Sequence, residues 1–299
     1  YAATDAGVFR SVDGGTNWFA SSGGLGGNAV RDLAMLPQLP GTIYAATANG
    51  VYRTSNNASN WNSFNTGMAN LAALVIAVAP GAATVSNVLY AGTAAGLYRS
   101  ADSATNWVLV NGAGTNLLSG TNVTALAVDA AAVYAGTTNG LFKSVDGGAN
   151  WSAASTGLTA KNVRALAFDP QSPTKLYAGV RGVSTFGGKD VFLARFHGLD
   201  LLSSSVLGGS ADEEGWDVAI DVAGRPHLTG WTTSTNFPAN NTDGLLRATN
   251  SGSVDAFVAL LAADGGGLLQ SGYLGGTNAD FGYNLAVDPD GSTLVVGTT

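Results

Sequence analysis

Two adjacent glutamates, Glu213 and Glu214, are the only ones in the chain. Carboxyl pairs about 5 to 10 Å apart carry out glycoside hydrolysis, but neighbours in an extended strand point to opposite faces, so these two cannot act as acid and base together. The acids total 20, which leaves 18 Asp, many in turns such as Asp169-Pro and Asp288-Pro-Asp-Gly. An Asp/Asp pair is the one acid arrangement left open. His197 and His227, the only histidines, stand 30 residues apart without zinc-ligand spacing. Serines are plentiful, yet no Gly-x-Ser-x-Gly elbow anchors a hydrolase triad. Asp288-Pro-Asp290-Gly291 resembles the opening of a calcium loop, lacks the later oxygen ligands and closing Glu, and reads as a type I turn. Gly24-Leu-Gly-Gly and Gly265-Gly-Gly lack the Lys-Ser/Thr that would make them phosphate cradles. With Cys at zero, disulfides, thiolate metal sites and Cys nucleophiles are excluded. The expectation is no catalytic residue, no cofactor and no metal.

The elements that would position any such group are set by composition. Charged residues make up 11% of the 299, under half the usual share of about 25%, and Gly, at 42, is roughly twice its average usage. The formal charge of −7 and the lack of a basic run exclude nucleic acid as a partner. The longest apolar stretch, Leu71 to Ala79, is half of the roughly 18 residues a membrane span needs. The sequence opens on Tyr1 without an initiator Met, which suggests a piece of a longer or processed chain.

Self-alignment exposes a repeat. Tyr1-Ala-Ala-Thr recurs at Tyr44, Tyr90, Tyr134 and Tyr177 with spacings of 43, 46, 44 and 43. Trp18, Trp61, Trp107 and Trp151 keep step at 43, 46 and 44, with a Gly-aliphatic-aromatic-Arg/Lys segment between Tyr and Trp in each unit. Each unit holds four short apolar or alternating stretches divided by Gly, Asn, Asp and Ser, and no window sustains a 3.6-residue period. Four strands per roughly 40 to 45 residues predicts an all-β fold of β-propeller blades, each a four-stranded antiparallel sheet covered by its neighbours. Farther on, Leu207-Gly-Gly-Ser to Asp221 aligns without a gap onto Leu274-Gly-Gly-Thr to Asp288 at an offset of 67, and Asp190-Val-Phe-Leu-Ala matches Asp255-Ala-Phe-Val-Ala. The longer period comes from the polar insertion Trp231 to Ser253, the largest surface-loop candidate. Six inner-type strands and seven Tyr-type strands predict one propeller over 1–299, seven-bladed with incomplete first and last blades; a six-bladed ring is the alternative.

Ser11-Val-Asp13-Gly-Gly15-Thr-Asn17-Trp18 and Ser144-Val-Asp146-Gly-Gly148-Ala-Asn150-Trp151 resemble the Asp-box turn of BNR-type propellers such as sialidases, sortilin-like receptors and xyloglucan hydrolases. The copies ending in Trp61 and Trp107 depart from the pattern: Asn56 replaces the Asp in one, Asp102 keeps it in the other, and both put Ala in place of the second Gly. The residues carrying the resemblance are Ser11, Asp13, Gly15, Trp18, Asp102, Trp107, Ser144, Asp146, Gly148 and Trp151, all with a structural role: Asp accepts turn N–H groups, Gly takes a positive φ, and Trp packs beneath. Residues 1–185 are thus expected to be Asp-box-type blades. Residues 186–299 resemble the bacterial SBBP-type propeller repeat, through Asp-Ala-Phe-Val-Ala, Tyr-Leu-Gly-Gly and Thr235-Asn236-Phe237-Pro238.

A sialidase-type enzyme would, by that resemblance, need three converging arginines, a Tyr with a Glu partner and an acidic proton donor. Arg10, Arg53, Arg99 and Lys143 recur at one position in successive blades, so repetition keeps them apart, their stems packed and heads bonded locally. The resemblance implies a non-catalytic bacterial scaffold, extracellular or at the cell surface, that contacts other protein subunits or copies of itself in a filament or surface layer. The alternative is a carbohydrate-binding or glycoside-hydrolase-type propeller with glycans as partners. Trp216, Trp231 and the Asn-rich loop after it are the exposed aromatic candidates, though Trp216, in the place of Tyr283, is expected in the core.

Overall fold

Period-2 apolar patterning broken by turn residues leaves strands as the only regular element this chain can form. The computed structural model describes residues 1–36, 38–80, 87–112, 117–158, 161–183, 185–198, 200–241, 244 and 246–299, and among these it has twenty-five strands and no helix. Residues 242, 243 and 245 of the expected insertion lie outside the described residues.

The first sheet is β1 (Ala2–Thr4), β2 (Gly7–Arg10) and β3 (Phe19–Ala20). The second is β4 (Val30–Leu36), β5 (Leu39–Thr47), β6 (Gly50–Thr54) and β7 (Asn62–Ser63). The third is β8 (Ala73–Val78), β9 (Leu89–Thr93), β10 (Gly96–Ser100) and β11 (Val108–Leu109), and the fourth β12 (Val123–Val128), β13 (Val133–Thr137), β14 (Gly140–Ser144) and β15 (Ser152–Ala153). The fifth is β16 (Asn162–Asp169), β17 (Ser172–Val183), β18 (Asp190–His197) and β19 (Asp200–Leu207). The sixth is β20 (Glu213–Ile220), β21 (Pro226–Thr232), β22 (Asp255–Leu261) and β23 (Leu268–Leu274), and the last β24 (Phe281–Val287) and β25 (Thr293–Thr298). Strands pair with their sequence neighbours, antiparallel, as short hairpins dictate.

The expected count of seven blades is corrected to six. Every blade needs an inner strand, and the described residues hold six of them, β4, β8, β12, β16, β20 and β24. Five complete four-stranded sheets use twenty of the twenty-five strands; the other five form the three-stranded sheet, which has no inner strand, and the two-stranded sheet, which has one.

The chain divides into two compact units, Tyr1–Ala135 with Phe142–Ser152, and Gly136–Leu141 with Ala153–Thr299. In the first, the core lies in layers between successive sheets: Val8, Ile43 and Trp61 in one, Tyr44, Ile76 and Trp107 in the next, Tyr90, Val123 and Trp151 in a third. Each Trp also ties its turn to the preceding sheet, because the indole Nε1–H donates to a carbonyl about one repeat back: Trp61 to Ser21 (2.9 Å), Trp107 to Phe64 (2.9 Å) and Trp151 to Val110 (2.8 Å). In the second unit the core is Tyr177, Val191, Phe237, Phe257 and Tyr273 among others; the Tyr177 hydroxyl ties its sheet to the next by donating to Ala263 O (2.8 Å), and the Tyr273 hydroxyl holds the insertion of its own blade by donating to Ser234 O (2.9 Å). The insertion is no free loop. Phe237 is buried against Phe257 and Tyr273, and Asn240 and Arg247 bridge to Ser271 and Tyr273, covering the edge of β23.

Glycine matters most where a turn meets the preceding sheet. Gly148 has φ +97, and a Cβ there would lie 2.9 Å from Val110 Cβ, whereas Gly14, at φ +71 in the first sheet, would meet nothing within 4 Å. Gly14→Ala should therefore cost only the left-handed penalty of about 1–2 kcal/mol, and Gly148→Ala should add an overpacking cost of about 1–3 kcal/mol. Urea unfolding of both variants checks this; equal losses would refute the proposed contact of the turn with Val110.

Candidate functional site

The Ser-x-Asp turns join the third strand of a blade to its fourth. In the first sheet, Ser11 Oγ donates to Asp13 Oδ1 (2.8 Å) and accepts from Gly15 N (2.9 Å), while Asn17 donates its backbone N–H to Oδ1 (2.9 Å) and its amide to Oδ2 (2.7 Å). Ser144, Asp146, Gly148 and Asn150 repeat this within 0.1 Å, and Ser100, Asp102, Ala104 and Asn106 follow the same scheme. These donors, Asn17 and then Ser11, hold Asp13 down at about 2, and Asn150 and Ser144 do the same to Asp146. Their carboxylates are spent on local N–H and O–H groups. Trp107 and Trp151 are buried and Trp18 is half-buried. The turns stand one to a blade and are not gathered.

The basic residues of the third strands are likewise occupied singly. Arg53 donates to Ser103 O (2.9 Å) and lies over Phe64 at 4.0 Å, Arg10 lies over Tyr1 at 5.8 Å, and Lys143 over Tyr134 at 5.1 Å. Arg99 buries its Nε without a hydrogen-bond partner. No carboxylate-binding triad forms from them.

What the structure does gather lies on the inner strands. Pairing of inner to second strand slips by one residue at the same place in five sheets, leaving Arg31, Leu74, Arg164, Trp216 and Tyr283 unpaired in β4, β8, β16, β20 and β24. A bulge re-aims the side chain it carries. In the second unit the result is continuous: Arg164 lies over Trp216 at 5.8 Å, Trp216 meets Tyr283 at 5.0 Å, Tyr283 stacks on Phe281 at 6.1 Å, and Phe281 meets Trp231 edge-on at 6.3 Å. Trp216 is 36% exposed. Its expected place in the core is thereby corrected: the bulge turns outward a residue that strict alternation would bury.

Beneath this face Glu214, its side chain 5% exposed, pairs with Arg181 (3.2 Å) and Arg164 (3.6 Å). Burial lowers the Arg164 pKa, the Glu214 charge opposes that, and Arg181 adds to it. Arg164 Nε, Asn162 Oδ1 and Glu214 Oε1 are buried without hydrogen-bond partners. The arrangement places guanidinium donors beside a half-exposed aromatic run, with Glu214 between two cations. Next along β20, Asp217 accepts N–H bonds from Val218 (2.8 Å) and, across to β24, from Leu285 (2.9 Å); burial outweighs those bonds and pushes its carboxyl up to about 7.

His227 is buried. Its Nε2 lies 3.4 Å from Asp221 Oδ2 and its Nδ1 2.7 Å from Thr293 Oγ1, while Arg225 Nε donates to the same Asp221 oxygen at 2.6 Å. Burial lowers the pKa of His227, so the neutral ring donates to Asp221 and accepts from Thr293. The chain of groups fastens the β20–β21 turn to β25. Sequence reasoning found the histidine but not this setting, because its partners lie on the turn before it and 66 residues beyond.

No family model and no curated protein matches the chain. Solved structures do. The chain is similar to YCF48 in complex with D1 peptide, at 13% identity and a TM-score of 0.62 over 99% of this chain and 85% of that one. It is similar to the extracellular domain of BT4673 from B. thetaiotaomicron, at 13% identity and a TM-score of 0.64 over 99% of this chain and 35% of that one. It is also similar to the GH74 xyloglucanase from Xanthomonas campestris, at 16% identity and a TM-score of 0.61 over 99% and 48%. The chain thus spans less than half the length of the latter two. At these identities the likeness is one of fold.

Two carboxyls should leave opposite marks on the pH profile of stability. Asp217 is raised from 3.8 to about 7, so the fold holds a proton the unfolded chain releases, and stability falls as pH rises from about 4 to 7. Asp146 is lowered to about 2, so its contribution is present above pH 4 and lost as pH falls toward 2. In urea unfolding from pH 2 to 8, Asp217→Asn should flatten the first slope and Asp146→Asn the second. Unchanged slopes in either variant would remove the corresponding assignment.

Proposed function

We propose that the chain is a non-catalytic β-propeller scaffold, extracellular or at a bacterial cell surface, that acts by contacting protein segments. Its first blades are read as Asp-box-type and its later ones as SBBP-type repeats. The observation that carries the reading is the inner-strand face: Arg164 and Arg181 present guanidinium edges for carboxylates and backbone carbonyls, and Trp216, Tyr283, Phe281 and Trp231 offer flat surfaces for side chains. That both glutamates are buried and engaged, Glu213 by Thr232 and Gly209 and Glu214 by two arginines, supports a role without acid–base chemistry. The D1 peptide in the similar YCF48 structure supports a peptide-like ligand. Self-association into a filament or surface layer belongs to the same reading, through the eight-residue outer strand β19, which is long beside the two-residue β7, β11 and β15.

The second reading, a carbohydrate-binding or carbohydrate-cleaving propeller, is favoured by the same run of aromatic rings, which sugars also stack upon, and by the similar GH74 xyloglucanase. Panning a displayed peptide library separates the two when paired with a glycan array and a reducing-end assay on xyloglucan. Enriched peptides should lose about tenfold or more in affinity with Trp216→Ala, the loss of one aromatic anchor at about 1.4 kcal/mol or above, and no reducing ends should appear. Reducing ends released by the wild type, or a glycan signal lost with Trp216→Ala in the absence of peptide binding, would overturn the leading reading.

A further inference from the structure

Two carboxylates in the second unit are fully buried side by side without a cation. Asp190 and Glu213 are each 0% exposed. A Cβ built on Gly208 would fall onto both Asp190 Oδ1 and Glu213 Oε2, so the two oxygens flank one glycine. Three of the four carboxylate oxygens have donors. Glu213 Oε1 accepts from Thr232 Oγ1 (2.6 Å) and Oε2 from Gly209 N (2.8 Å), while Asp190 Oδ2 accepts from the backbone N–H groups of Thr185 and Phe186. The fourth, Asp190 Oδ1, has no hydrogen-bond partner.

The next blade shows what such an oxygen takes. Asp255 occupies the corresponding place on β22, is 0% exposed, and likewise gives its Oδ2 to two preceding backbone N–H groups, Ser251 (2.9 Å) and Gly252 (3.2 Å). Its Oδ1, however, accepts from Arg247 Nη2 at 2.8 Å. Arg247 lies eight residues before Asp255, in the insertion; eight residues before Asp190 stands Gly182, still within β17. The chain has no side chain there to supply the charge. A fully buried carboxyl oxygen without a donor is costly, and the repeat that has a cation places it on the very oxygen that lacks a partner here.

We infer that Asp190 Oδ1 and Glu213 Oε2 bind a hard divalent cation of the calcium class, which does for this blade what Arg247 does for the next. Carboxylate oxygens without nitrogen or sulfur donors select such a cation over zinc or copper. Among the described residues no group of three acidic, His or Cys side chains is gathered for a metal. The two carboxylates are therefore only part of the ligand set, and backbone oxygens and water complete it, as calcium accepts. This revises the expectation of no metal drawn from sequence motifs, which count side chains along the chain and do not see two acids 23 residues apart meet at one glycine.

The test is thermal unfolding and isothermal titration calorimetry of the full chain stripped with chelator, with CaCl2 as the probe and MgCl2 at matched ionic strength as the control. The wild type should show a saturable rise in Tm of several degrees with calcium, about what saturation well above Kd gives. Asp190→Asn should have a higher Tm than the wild type in chelator, because an amide Nδ2 in place of the undonated Oδ1 can donate toward Glu213 Oε2, and should not respond to calcium. Glu213→Gln provides a second variant with the same loss of response. Asp255→Asn should instead lower the Tm, by stranding Arg247, and keep the calcium response. The inference falls if calcium binds no better than magnesium, if the wild type gives neither heat nor a Tm shift, or if Asp190→Asn keeps the wild-type response.

Discussion

A four-stranded sheet in this chain has two apolar faces and no helix to lay over either, so each blade depends on the next for cover. That demand explains the residues that recur. In the first unit Trp61, Trp107 and Trp151 end turns between third and fourth strands, each burying its ring between sheets and donating its indole N–H to a carbonyl one repeat back. Packing supplies the attraction, and the single polar atom fixes the register, since a buried indole N–H left unpaired would cost about 1–3 kcal/mol. The second unit meets the demand differently. Tyr177 reaches the next sheet with its hydroxyl, while Asp217 accepts an N–H from the neighbouring inner strand as Asp32 does from Ile76 in the first unit. One constraint is thus served by two chemistries, and the sequence motifs differ between the halves while the strand order does not.

Close packing also decides where function can reside. Second strands such as β9 and β13 are buried at every position, and the outer strands of the first unit are two residues long. The buried second strands offer no side chain to a ligand, and the outer strands, though exposed, offer only two residues each. The inner strand escapes this because its bulge spares one residue per blade from the ladder. In the first unit those residues are Arg31 and Leu74, and Arg31 is directed at Ala73 O (3.5 Å). In the second unit they are Arg164, Trp216 and Tyr283, which touch in series. A repeat whose bulge residues vary can therefore change its binding surface without altering its core.

Much of the architecture was legible because it is periodic and local. The Tyr and Trp landmarks, the turn glycines and the strand boundaries follow from residue types within a few positions of one another, and the Ser-x-Asp turns close on bonds spanning two to four residues. Seven Tyr-type strands do give seven sheets, but a blade is defined by its inner strand, and the described residues hold six, the three-stranded sheet having none. Trp216 was misplaced for a related reason: a one-residue bulge shifts which face a side chain takes, and nothing in the alternation announces it. The Arg164–Glu214–Arg181 cluster was invisible, since its members come from three strands and are 17 to 50 residues apart.

The acids mark the deepest difference between the halves. In the first, Asp13, Asp102 and Asp146 sit at exposed turns, and local donors lower the pKa of each; at the solvent boundary a charge costs little to keep. In the second, Asp190, Glu213, Glu214, Asp221, Asp255 and Asp280 are all buried. Each of these must be repaid by N–H donors or a cation, because removing a carboxylate from water costs several kcal/mol even after relaxation. Arg181 and Arg164 repay Glu214, Arg225 repays Asp221, and Arg247 repays Asp255. The later blades thus bury acids where the earlier ones expose them: the Glu214 pairs join two sheets, the Asp221 and Asp255 pairs close within one, and the strength of all depends on ionisation and counter-ions. Sensitivity to pH and ions should therefore concentrate in the second unit, where burial makes each unpaired charge expensive.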